Sequence, residues 1–85
     1  MPKILIYTTK ICPYCIMAKR LLNQKGVSYE EINVDNDPQL REEMMRKTNR
    51  RTVPQIYIGE LHVGGFNELY ALDQQKKLDA LLQQQ

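Results

Sequence analysis

Eighty-five residues, 42% hydrophobic and 26% charged, are enough for one compact core, too few for two, and too apolar to stay disordered. A formal net charge of +2 is too mild for a face that grips nucleic acid, and no stretch approaches the roughly 20 apolar residues that span a bilayer. The chain is therefore expected to be a single domain over residues 1–85, monomeric, with neither nucleic acid nor membrane as partner. Its first apolar run, residues 4–7, is far shorter than a signal-peptide core. That points to the cytoplasm, where a cysteine pair is more often catalytic or metal-binding than a permanent staple.

Residues 3–7 read as a buried strand, continuously apolar as a central strand covered on both faces is. After a loop over residues 8–11, Cys12 stands as the N-cap of a helix, and Pro13 takes the first helical position, where a missing amide hydrogen costs nothing. Tyr14, Met17, Ala18, Leu21 and Leu22 recur at helical spacing opposite Lys19, Arg20, Asn23 and Gln24, and Gly26 closes the helix. Residues 27–34 form a second strand by their β-branched content. A strand, one helix and a strand make a right-handed parallel crossover. Asp37 and Pro38 repeat the cap signal before a second helix that ends near Thr48 and buries Leu40, Met44 and Met45.

Thr52-Val53-Pro54 precedes a third strand over residues 55–58, a proline being tolerated at a strand's start. The Gly59-Glu60 turn returns residues 61–63 as its antiparallel partner, and Gly64-Gly65 breaks that strand. Asn67 is read as the cap of a third helix carrying Leu69, Tyr70 and Leu72. Asp73 is read as the cap of a fourth, with Leu78, Leu81 and Leu82 on its apolar face, and residues 83–85 as a frayed polar end. This order predicts an α/β fold with one four-stranded mixed sheet and helices on both faces.

The chemistry concentrates at Cys12-Pro13-Tyr14-Cys15, which holds the only two cysteines. Two thiols separated by two residues lie about one helical turn apart, within reach of a disulfide, and a thiol pair between strand and helix marks a redox dithiol. Only a thiolate attacks a disulfide, and an unperturbed cysteine with a pKa of about 8.5 is a few per cent ionised at neutral pH. At the helix start the Cys12 sulfur faces unpaired amide hydrogens and the positive end of the helix dipole. Cys12 is thus the candidate nucleophile, and Cys15, deeper in the helix, the resolving thiol. Tyr14 suits either the rim of the site or the core.

Lys10, two positions before Cys12, and the cluster Arg46, Lys47, Arg50 and Arg51 suit a small anionic ligand. Arg46 and Lys47 equally suit the negative end of the second helix. A structural zinc site, the other use of a thiol pair, needs four ligands. The chain offers two cysteines and one histidine, His62, which the strand order puts near the sheet edge.

Three separated motifs, Cys12-Pro13-Tyr14-Cys15, Thr52-Val53-Pro54 and Gly64-Gly65-Phe66-Asn67, follow one another as in the glutaredoxins, and over almost its whole length the chain resembles a small bacterial-type dithiol glutaredoxin. The resemblance implies a thioredoxin fold with a cis bond before Pro54. It also implies glutathione as reducing co-substrate without a tightly bound cofactor, and disulfide-containing or glutathionylated proteins as partners. In that family the tripeptide lies along the backbone at the position of Val53, with the second glycine turn receiving its γ-glutamyl end and basic residues its glycyl carboxylate. Carried onto this chain, the glutathione contacts are Tyr14, Thr52, Val53, Pro54, Gly65, Phe66 and Asn67, with Lys10, Arg50 or Arg51 at the carboxylate.

Two positions depart from the pattern. Asn67 stands where many members have aspartate, and Thr9 stands where a lysine is common, with Lys10 one place later. Pro13 resembles members that do not bridge an iron–sulfur cluster. The glutathione-type motifs argue against a donor reduced by a thioredoxin-type flavoenzyme.

Overall fold

The central strand, β1 (Ile4–Thr8), buries four of its five side chains and organises everything else. In the computed structural model, which describes residues 2–83, it is followed by α1 (Pro13–Gln24), β2 (Glu30–Asn33), α2 (Pro38–Thr48), β3 (Gln55–Ile58), β4 (Leu61–Gly64), α3 (Phe66–Gln74) and α4 (Leu78–Gln83). The sheet order is β2-β1-β3-β4. β1 runs parallel to β2 and antiparallel to β3, and β3 antiparallel to β4, so the expected four-stranded mixed sheet is what forms.

Side chains alternate across a strand, and here the alternation builds two apolar layers. Ile4, Ile6, Ile56 and Ile58 face Ala18, Leu21 and Leu22 of α1, Leu69 of α3, and Leu78 and Leu82 of α4. Tyr7 and Tyr57 face the other way, against Met44 of α2 and Val34 just after β2. Helices therefore cover both faces. Among the described residues no helix is long and apolar enough to cross a membrane.

Four local expectations need correction. The buried stripe of α1 is Cys15, Ala18, Leu21 and Leu22, whereas Tyr14 and Met17 are 55% and 41% exposed, because Cys15 takes the inward position at the first turn. β2 begins only at Glu30, and Val27 and Tyr29 pack on the core before it starts. The N-cap of α3 is Gly65, and Asn67 lies inside the first turn, because the Glu68 carboxylate reaches back to the Gly65 N–H at 2.7 Å. Asp73 lies within α3 and pairs with Lys25 at 2.7 Å, which also reaches Asp79 at 3.0 Å. These pairs tie the end of α1 to α3 and α4. Of the expected frayed end, Gln83 belongs to α4, and residues 84–85 lie outside the described residues.

Candidate active site

The C-terminal end of the central strand β1 leads through a short loop to Cys12, and Cys12 caps α1 with extended backbone, as its position before Pro13 leads one to expect. Cys12 and Cys15 form a disulfide, with Cα atoms 5.2 Å apart, so the structure is the oxidised state. The Cys15 N–H donates to Cys12 Sγ at 3.1 Å. This is one of the first-turn amides that a helix leaves without an internal partner, and it aims at the sulfur on which negative charge develops. Cys12 is 7% exposed and Cys15 1%. An incoming sulfur therefore meets Cys12.

Opposite the disulfide stands the loop before β3. The Val53–Pro54 bond is cis, as the resemblance implies, and the Val53 carbonyl oxygen lies 3.7 Å from Cys12 Sγ. Beside it opens a cleft of about 310 Å³ whose lining includes Thr52, Val53, Pro54, Gly65, Phe66 and Asn67. Tyr14 closes one side, its ring stacked on Phe66 at 6.2 Å between centroids. Seven of the residues expected to meet glutathione thus share one cleft.

Lys10 and Arg51 are not among the residues lining it. Lys10 is exposed, and its backbone N–H donates to the Asp35 carboxylate at 2.5 Å. Arg51 lines a separate cleft of about 350 Å³ at the end of α2, with Arg46 and Asn49. Arg50 lines both clefts, and is the cation that reaches the site.

Glu68 is the lining residue that sequence reasoning missed. Its Oε1 accepts from the Gly65 N–H at 2.7 Å and from Arg50 Nη1 at 2.8 Å. The Gly65 N–H, and then Arg50, hold its carboxyl below the usual glutamate range. The glutamate three residues after the cap is the spacing of a capping box, a signal that could have found it. Gly64 makes the contact possible, because a Cβ there would lie 2.5 Å from Glu68 Oε1.

Large apolar side chains also gather in the open around the disulfide. Ile11 is 90% exposed and Ile16 50%, and Tyr70 extends the Tyr14–Phe66 stack, its ring 5.7 Å from that of Phe66. Among the described residues no group of three or more His, Cys, Asp or Glu is placed to hold a metal ion.

Comparison with known proteins agrees with this geometry. The glutaredoxin family model matches residues 4–63. The chain is 58% identical to a glutaredoxin of Pseudomonas aeruginosa over 82 residues, covering 96% of this chain and 98% of that one. It is 50% identical to glutaredoxin 3 of Escherichia coli over 82 residues, covering 96% and 99%. Among solved structures, the glutaredoxin of Brucella melitensis superposes with a TM-score of 0.86 at 50% identity, covering 96% of this chain and 89% of that one. A buckwheat glutaredoxin–glutathione complex superposes with a TM-score of 0.87 at 27% identity, covering 95% and 76%. These matches span the Cys12–Cys15 pair and nearly the whole chain, and the chain belongs to the glutaredoxin family of glutathione-dependent thiol–disulfide oxidoreductases.

Proposed function

We propose that the chain, a monomeric single-domain protein of the cytoplasm, reduces glutathione mixed disulfides and protein disulfides, with Cys12 as nucleophile and Cys15 as resolving thiol. The observation that carries this reading is the asymmetry of the two sulfurs. Cys12, the more exposed of the two, has a helix amide 3.1 Å from its sulfur and the Val53 carbonyl of the cleft wall 3.7 Å away, while Cys15 is 1% exposed.

In the reduced protein the Cys12 thiolate attacks the glutathione sulfur of a glutathionylated cysteine. The bond to the substrate sulfur breaks, and the substrate leaves as a thiolate that takes a proton from water. A second glutathione thiolate attacks the glutathione sulfur held on Cys12, which releases oxidised glutathione and restores Cys12. On a protein disulfide, the Cys12 thiolate bonds to one substrate sulfur and the other leaves as a thiolate; the Cys15 thiolate then attacks the Cys12 sulfur and the first substrate sulfur leaves in turn, giving the disulfide present in this structure. Two glutathione molecules, losing two electrons and two protons, return it to the dithiol.

Glutathione is proposed to lie along Val53, between the Thr52-Val53-Pro54 loop and the N-terminus of α3. Its γ-glutamyl end would sit at Gly65, Phe66 and Asn67, and the glycyl carboxylate near Arg50, with Lys10 and Arg51 as outer cations. The helix N-terminus favours an anion there. Protein substrates would meet the exposed collar of Ile11, Tyr14 and Tyr70, since an apolar patch around a reactive sulfur marks an interaction surface. A coupled assay comparing glutathione plus glutathione reductase with thioredoxin reductase as electron source tests the reading. Turnover is expected with glutathione, and turnover only with thioredoxin reductase would overturn it.

A further inference from the structure

Behind the cleft wall runs a polar chain that the reaction scheme above does not use. Gln55, the first residue of β3, has a wholly buried side chain. A buried amide requires partners for both its oxygen and its nitrogen. Here Nε2 donates to the Thr52 carbonyl at 2.9 Å and lies 3.4 Å from Thr52 Oγ1, while Oε1 lies 2.8 Å from His62 Nε2.

The β3–β4 register explains how His62 reaches it. Gly64 pairs with Ile56 and His62 with Tyr57, leaving Val63 as an extra residue between them. This irregularity sets His62 on the same face as Tyr57 and Gln55, with its ring stacked on Tyr57 at 5.0 Å. An amide oxygen only accepts, so His62 must present its hydrogen at Nε2.

We infer that Gln55 and His62 are positioning residues that hold the Thr52-Val53-Pro54 wall at the distance glutathione requires. The inference rests on the assignment of that wall to glutathione given above. The Thr52 carbonyl, which only accepts, fixes which end of the Gln55 amide faces the loop, and the His62 N–H holds the other end in place. Turned over, the amide would set its oxygen against the Thr52 carbonyl, acceptor against acceptor. Thr52 lies outside the sheet ladder, so the Gln55 N–H supplies the partner that a neighbouring strand would otherwise give. The next residue, Val53, carries the carbonyl that lies 3.7 Å from Cys12 Sγ. Neither Gln55 nor His62 lines the cleft, and both act through the loop.

His62→Phe keeps a ring against Tyr57 and removes the donor, whereas His62→Gln keeps a side-chain N–H. Each is assayed with a glutathionylated peptide, glutathione and glutathione reductase, alongside melting temperature and the NMR exchange rate of the Gln55 side-chain amide. His62→Phe is expected to raise KM about fivefold, the change one neutral hydrogen bond makes, with kcat within twofold and faster Gln55 amide exchange. His62→Gln should bring KM back to within twofold of the original chain. An unchanged KM with a lowered melting temperature would make His62 a stability residue only and overturn the inference. So would a KM rise that His62→Gln fails to reverse, or a fall in kcat alone. Should His62→Phe fail to fold, Gln55→Glu provides the same test, because it accepts from His62 yet has no N–H for Thr52, and an unchanged KM there also overturns the inference. If the original chain does not turn over this peptide, the assignment of the cleft fails, and Gln55 amide exchange alone decides whether His62 orients the amide.

Discussion

Gly64→Ala perturbs the join between β4 and α3 on which the cleft depends. Gly64 has φ +114°, a backbone conformation costing a residue with a side chain about 1–3 kcal/mol. The added Cβ would also lie 2.5 Å from Glu68 Oε1, 3.1 Å from its Cγ and 3.2 Å from Arg50 Nη1. Glu68 must then withdraw from the Gly65 N–H, a charge-assisted bond worth about 1.5–3 kcal/mol. The Arg50–Glu68 pair is roughly half exposed and adds only about 0.2–1 kcal/mol. Strain and the lost cap together come to about 2.5–6 kcal/mol. At roughly 4–8 °C per kcal/mol for a domain of this size, the melting temperature should fall by at least about 10 °C. Urea and thermal unfolding of the oxidised protein, followed by circular dichroism at pH 7, measure this directly. In a double-mutant cycle Gly64→Ala should cost less in a Glu68→Ala background, where the clash is gone. A loss below about 1 kcal/mol, or costs that simply add, would mean that Gly64 neither carries this strain nor makes room for the Glu68 cap.

The other predictions concern charge and substrate. Because the folded state holds Glu68 below its ordinary pKa, the unfolded chain takes up the proton first as pH falls. Its contribution is therefore complete above the unfolded carboxylate range and lost as pH falls through the folded value; unfolding titrations of Glu68→Gln should show a shallower acid slope and converge on the original chain at low pH. Asn67→Asp puts a carboxylate in the first turn of α3 beside the proposed γ-glutamyl site, and calorimetry should read glutathione binding tighter by about three- to tenfold; no gain removes Asn67 from the contacts. Tyr70→Ser should lower kcat/KM on a protein disulfide about threefold or more while leaving a small glutathione mixed disulfide unaffected, and equal losses on both would rule out the collar as a docking surface.

Much of this fold is legible in local sequence because its signals are local. Cys12 before Pro13 and Asp37 before Pro38 mark two helix starts, and the structure has both caps where the residues call for them. The two faces of α1 are harder to tell apart. Tyr14, Met17, Ala18 and Leu21 fit helical spacing as well as Cys15, Ala18 and Leu22 do, and the choice belongs to the sheet beneath. Asn67 and Asp73 are good caps by propensity, but long-range contacts decide both positions. Glu68 satisfies Gly65, which starts α3 two residues before Asn67, and Lys25 draws Asp73 into an ion pair. In the site, motif residues with backbone roles, Val53, Pro54 and Gly65, fall together. Lys10 and Arg51 carry long side chains on loops, and sequence spacing says little about where such charges point.

The account turns on Cys12 being the sulfur that meets glutathione. The oxidised original chain can be treated with limiting glutathione, and reduced Cys15→Ser, which has no disulfide of its own, with oxidised glutathione; each is quenched in acid and alkylated, and the adduct is located by peptide mass spectrometry. The account predicts the glutathione on Cys12 in both, with Cys15→Ser still turning over a glutathione mixed disulfide and Cys12→Ser inactive. Glutathione found first on Cys15, or full activity in Cys12→Ser, would contradict it.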